Sequence, residues 1–243
     1  MVAAVSPSIE PAPRLADLRR FYGLLDELAR HTGGPRRLAD CSGRMEWPQR
    51  GVYFFMELGE VRTDSGSGPR IVRVGTHALK DQSRTTLWTR LSQHKGQRDG
   101  NGNHRGSIFR LLVGAALLAD DPALCATWGM GNTPARAVRE AERELESRVS
   151  NIIGRMPFLF LHVGDVAGAQ SLRGVVERNT IALLSNAGKA PLDQPSSGWL
   201  GHRCPRERVR ASGLWNQNHV DEAYDPAFLD TLETIIRATE RRT

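Results

Sequence analysis

Two β-prone runs, residues 51–58 and 70–76, flank a stretch that contains Asp64-Ser65-Gly66-Ser67-Gly68-Pro69. Alternation along the first run puts Val52, Phe54, Met56 and Leu58 on one face and Tyr53, Phe55 and Glu57 on the other. The Gly/Ser/Pro segment interrupts the strand and turns the chain back. The three together predict a β-hairpin with a long, soft connection over residues 59–69. In the second run Val72 and Val74 suit a core, which turns Arg73 to the side that Tyr53 faces.

Helical spacing appears before and after this hairpin. Leu15, Leu18, Phe21, Leu25 and Leu28 form one stripe over residues 14–30, which Thr32-Gly33-Gly34 closes. Residues 1–13 read as a disordered arm. Helices are expected over residues 85–96 and 108–118, with the polar, glycine-rich loop 97–106 between them. Thr133-Pro134 supplies an N-cap and a first-turn proline for a further helix. The run 156–163 opens at Pro157 and is apolar throughout, as an internal strand is. A helix over 171–185, an irregular stretch over 186–218 and a last helix after Asp225-Pro226 complete the pattern. The order predicts a small α/β (α+β) core with a helical insertion and helical flanks.

Composition narrows the function classes. A net charge of +6 favours a polyanionic partner, and 6% aromatics disfavour a surface built from many base-stacking platforms. The cysteines, Cys41, Cys125 and Cys204, are odd in number and far apart, which predicts free thiols and a reducing compartment. Neither a signal peptide nor a run long enough to span a bilayer is legible. The expectation is a soluble, cytoplasmic protein without a membrane partner.

Several residue types suit phosphate chemistry. Arg90 and His94 are one helical turn apart and project from one face. An arginine fork clamps phosphate oxygens, and a histidine donates to a phosphate or relays a proton. Glu177 shares a helical stripe with Ile181 and Leu184. A carboxylate there needs a metal or a partner such as Arg173, unless it reaches out to water.

Together these residues resemble the GIY-YIG nuclease superfamily, and its restriction-endonuclease branch most. Gly51-Val52-Tyr53 is similar to the first signature and Val72-Arg73-Val74-Gly75 to the second. The segment from Leu87 to His94 resembles the arginine helix, and Glu177 resembles the metal-binding glutamate. The resemblance covers roughly residues 50–195. It implies a GIY-YIG-like core, a small antiparallel three-stranded sheet flanked by helices. The implied organisation is an arm over 1–13, a helical extension over 14–45, a nuclease domain over 46–195 with its insertion at 97–153, and a basic extension over 196–243.

The resemblance also implies a mechanism. Glu177 would hold Mg²⁺ (or Mn²⁺), Tyr53 would serve as general base for the attacking water, and Arg90 would bind the scissile phosphate. His94 would assist Tyr53 or the phosphate, and Arg73 would favour the phenolate. The chain departs from the family where Arg73 replaces the second signature's tyrosine. The family's late asparagine has two candidates, Asn186 and Asp193, between which the sequence does not choose.

Other residues suggest DNA contacts. Arg206, Arg208 and Arg210 form a basic run suited to phosphates, and Asn216 and Asn218 beside Trp215 are able to read base edges. His202-Arg203-Cys204 lacks a second pair at zinc spacing. The expected function is a Mg²⁺-dependent DNA endonuclease acting on duplex DNA, in a restriction or defence setting. A symmetric homodimer would suit cutting both strands of a palindrome. The alternatives are a non-catalytic nucleic-acid-binding module that retains the fold, and a protein-interaction scaffold.

Overall fold

The computed structural model describes residues 12–97, 101–168 and 170–240. Residues 1–11 of the expected arm, 98–100 of the glycine-rich loop, Ala169 and the last three residues lie outside the described residues. The described helices and strands follow in the order α1 (Ala12–Thr32), β1 (Arg36–Arg37), β2 (Gly51–Val61), β3 (Pro69–Gly75), α2 (Leu87–Lys95), α3 (Ile108–Leu117), α4 (Arg136–Ala141), α5 (Arg143–Arg155), β4 (Pro157–His162), α6 (Leu172–Leu184), α7 (Glu207–Ser212) and α8 (Phe228–Glu240). Short 3₁₀ turns join several of them.

The sheet is antiparallel, with strand order β1-β4-β2-β3. The expected three strands are present, and β4 is internal as its apolar run predicts. A fourth strand was not expected. β1 is two residues long, too short for any periodicity, and pairs through Arg36 with Phe158 and Arg37 with Pro157.

Helices cover both faces. Val52, Phe54 and Met56 join α1, α6 and α8 in one core. Tyr53 and Phe55 join Leu87 and Leu91 of α2, Phe109 of α3 and Val149 of α5 in a second. Leu58, expected on the first face, lies past the covered region and is 72% exposed.

The hairpin carries a register correction. Phe55 pairs with Arg73, but Met56 pairs with Ile71, so Val72 is an extra residue on β3. A bulge of this kind sends two successive side chains to one side of the sheet. Ile71 and Val74 therefore pack in the first core, while Val72 packs with Tyr53 and Phe55. Arg73 faces the Tyr53 side as its alternation with Val74 predicts, in regular register with Phe55; the correction falls on Val72, which the bulge turns to that same side.

Other boundaries shift for local reasons. α1 begins at Ala12 and includes Pro13, which was expected in the arm. The helix expected from Pro134 starts at Arg136, after an extended Ala135, and breaks at Glu142. The stretch 186–218 is not wholly irregular, since α7 lies within it. The three cysteines are free and buried. Among the described residues no helix is long and apolar enough to cross a membrane.

Candidate active site

Strand β3 ends beside a cleft of about 340 Å³, lined by residues from β2, β3, α2, α6 and the segment after α7. Tyr53, Arg73, Thr76, Arg90 and Glu177 all lie on its wall. A larger cavity, about 880 Å³, opens beside the C-terminal end of α3, but no carboxylate lines it. Volume alone therefore does not mark the site; convergent charge does.

The two signature glycines make room. Tyr53 pairs across the hairpin with Gly75. A Cβ at Gly75 would collide with the hydroxyl end of the Tyr53 side chain, 2.5 Å from Cζ. At Gly51 a Cβ would press on the Leu161 carbonyl and lie 3.3 Å from a Leu87 methyl. The first glycine lets the tyrosine cross the neighbouring strand, and the second lets α2 approach the sheet.

Tyr53 is fully buried as a residue and meets His94 through its hydroxyl, Oη to Nε2 at 2.8 Å. His94 Nδ1 meets Ser107 Oγ at 2.7 Å. His94 lies behind Tyr53 and does not line the cleft. Burial, then the charges of Arg90, Arg73 and Arg110, hold His94 well below the usual histidine range. Helix α2, which carries Arg90 and His94, is capped by Thr86, whose Oγ1 accepts from Thr89 N at 3.1 Å.

Arg73 is 6% exposed. One of its Nη groups donates to the Trp215 carbonyl, and its guanidinium lies 5.2 Å from the Phe109 ring centre. Burial lowers its pKa and Tyr53 opposes that shift. Arg90 is half-buried, tethered by Nη1 to Gln93 Oε1 at 2.9 Å and the Gly106 carbonyl at 3.1 Å.

Glu177 Oε1 accepts from Thr76 N at 3.0 Å. Burial pushes its carboxyl up, while Arg73, the Thr76 amide, His219 and Arg90 pull the other way. Arg173 is not its partner: that guanidinium is buried against Asp165 and the carbonyls of His77, Ala78 and Val166. Among the described residues no group of three or more metal-ligating side chains exists. One carboxylate among cationic groups fits a Mg²⁺ that keeps water and phosphate in the rest of its shell.

The late-asparagine candidates do not line the cleft. Asn186 pairs its amide with both Leu192 backbone groups at 3.0 Å and accepts from Arg14. Asp193 accepts the backbone N–H groups of Thr63, Asp64 and Ser65, and so ties down the hairpin connection. Asn216 does line the cleft, but its amide is committed to the Val74 peptide, at 3.1 and 2.8 Å. Trp215 N donates to the Val72 carbonyl at 2.7 Å, so this segment covers the free edge of β3. Asn218 is exposed on the cleft rim.

The basic run lies outside the cleft. Arg208 pairs with Asp221, and Arg210 donates to the Cys204 carbonyl at 2.5 Å. Arg206 is exposed at the start of α7.

Thr76, His77, Gln217 and His219 also line the wall, and none of them belongs to a signature that the sequence resembles. His77 has its Nε2 on the Gln49 carbonyl at 3.2 Å, and its pKa is lowered to about 4. Burial dominates that shift; the Gln49 carbonyl opposes it, and the charges of Arg173, Arg50 and Arg90 add to it. Only the clustering of polar residues in Asn216-Gln217-Asn218-His219 hinted at this part of the wall.

A family model described as a GIY-YIG domain matches residues 12–242. No curated protein and no solved structure matches the chain.

Proposed function

The chain belongs to the GIY-YIG domain family, whose members are usually nucleases, and from that premise we propose that it is a Mg²⁺-dependent endonuclease hydrolysing DNA phosphodiester bonds. The observation that carries this reading is convergence. Tyr53, Arg73, Arg90 and Glu177 come from four separate elements and meet on one cleft, with His94 bonded behind the tyrosine. Packing needs alone do not require two guanidiniums, a phenol and a carboxylate to share one small cleft.

Phosphodiester hydrolysis must neutralise charge at phosphorus and deliver an in-line water. Glu177, whose Oε1 accepts from Thr76 N, would hold the metal, and that ion would supply positive charge at the phosphate. Arg90 clamps non-bridging oxygens from the α2 side. Tyr53 takes the proton of the attacking water. Arg73 supports the anionic oxygen of the tyrosine in place of the signature tyrosine. The net charge of +6 draws DNA to the surface and makes binding salt-dependent. Duplex DNA in a restriction or defence setting is the proposed substrate and context, with a homodimer presenting two clefts to two strands.

The test is cleavage of plasmid and genomic DNA, with Mg²⁺ and with chelator, by wild type and Glu177→Ala. Discrete metal-dependent fragments that vanish in the variant are expected. Salt-sensitive DNA binding without cleavage by wild type, over a range of Mg²⁺ and salt, would replace this reading with a binding module that retains the fold.

A further inference from the structure

Tyr53, His94 and Ser107 form a buried row of three groups. Tyr53 and His94 are 0% exposed and Ser107 is 1% exposed. Oη meets Nε2 at 2.8 Å, and Nδ1 meets Oγ at 2.7 Å. Such a row admits two proton arrangements. In one, Tyr53 donates to Nε2 and Nδ1–H donates to Ser107. In the other, the Ser107 hydroxyl donates to Nδ1 and Nε2–H donates to the Tyr53 oxygen.

The serine decides between them. Ser107 is also the N-cap of α3, and its Oγ accepts from Arg110 N at 3.3 Å. If it accepted from Nδ1 as well, its own O–H would be a buried donor with no acceptor among the described residues. Stranding a buried donor is costly, whereas a hydroxyl with one unused lone pair is common. Charge agrees with this count. Arg73, Arg90 and Arg110 all disfavour a protonated imidazole at His94, which is therefore badly placed to receive the phenol's proton.

We propose that Ser107 is a positioning residue that fixes His94 as the Nε2–H tautomer, so that His94 donates a hydrogen bond to the Tyr53 oxygen instead of removing its proton. This rests on the proposed role of Tyr53 and assigns the direction of its support. The tyrosine proton leaves to water in the cleft, and the phenoxide keeps the imidazole donor behind it. That oxygen then takes a proton back from the attacking water, whose hydroxide bonds to phosphorus as the P–O bond to the leaving sugar oxygen breaks, and the leaving oxygen takes its proton from water in the cleft. Arg110 steadies the same helix end by donating from Nη1 to the His94 carbonyl at 2.9 Å.

The experiment is a long-range ¹H–¹⁵N correlation spectrum of histidine-labelled protein near neutral pH, with His94 assigned by its loss in His94→Gln. The expected result is protonated Nε2 and bare Nδ1. Protonated Nδ1 in wild type would overturn the proposal. Ser107→Ala should mix the tautomers, lower kcat by about tenfold and move the acidic limb of the pH profile upward, because the phenoxide loses its oriented donor. Ser107→Thr should restore all three; a variant restored in folding but not in tautomer would also count against the serine's role. The spectrum needs neither DNA nor metal. A wild type with the Nε2–H tautomer but no cleavage would therefore remove the endonuclease reading while leaving the tautomer assignment in place.

Discussion

Gly75 and Tyr53 occupy one another's space, and Gly75→Ala tests how tightly. Its new methyl would meet the tyrosine ring inside a core with no exposed surface. Overpacking of this kind costs about 1–3 kcal/mol, so denaturant melts should register that loss and cleavage should fall with it. Arg90→Ala should behave differently. The side chain is half-buried on the cleft wall, so stability should hold while kcat falls on the order of 10²–10³, the usual loss for one charge-stabilising donor. His77 provides a pH signature. Its folded pKa of about 4 lies below the ordinary histidine value. Between pH ~4 and ~6.5 the unfolded chain binds a proton that the folded chain refuses, so stability rises with pH across that window. The groups that bear on it are Arg173, Arg50 and Arg90. Urea midpoints should drop more between pH 7 and pH 5 in wild type than in His77→Gln. Residue type and spacing marked Tyr53, Arg90 and Glu177 because an isolated phenol, guanidinium or carboxylate beside a core stripe stands out. They did not mark His94 as buried behind Tyr53, because burial depends on how α2 and α3 close over it.

Strands and helices were legible where their periodicity ran long enough to bury a face. α1, β2, α2 and α6 follow their apolar stripes closely. β1 and α7 carry two and six residues, and only their tertiary contacts make them regular. The bulge at Val72 escaped for a related reason, since an extra residue is invisible until the partner strand sets the register. Its consequence is local, because it turns Val72 to the side of Arg73, where it packs with Tyr53 and Phe55. The edge of β3 adds a test at this scale. Asn216→Ala would strand both backbone groups of Val74, at a cost of about 2–4 kcal/mol by chemical denaturation. Asn216→Asp keeps only the acceptor and should fall between wild type and alanine.

Two cores on opposite faces of one sheet make the molecule's stability divisible. Leu28 packs in the first core with α6 and α8, and Phe109 in the second with α2 and α5. Leu28→Ala and Phe109→Ala should each cost about 3–5 kcal/mol. The sheet separates them, so the double variant should match the sum within about half a kcal/mol in equilibrium unfolding. The family match over residues 12–242 agrees with this division, since it takes in α1 and α8 together with the sheet. From the sequence those helices read as flanks. Amphipathic stripes announce that a helix is buried, but not against which surface.

The segment that closes the β3 edge is also the segment that grips Arg73, through the Trp215 carbonyl. During synthesis the chain emerges from its amino end. When Tyr53, Arg90 and Glu177 have all left the ribosome, Trp215 and Asn216 are still to come, and the arginine between them has no carbonyl to hold it. A partly made copy thus carries Tyr53, Arg90 and Glu177 without the clasp that sets Arg73, and the proposed site is assembled only once Trp215 has followed.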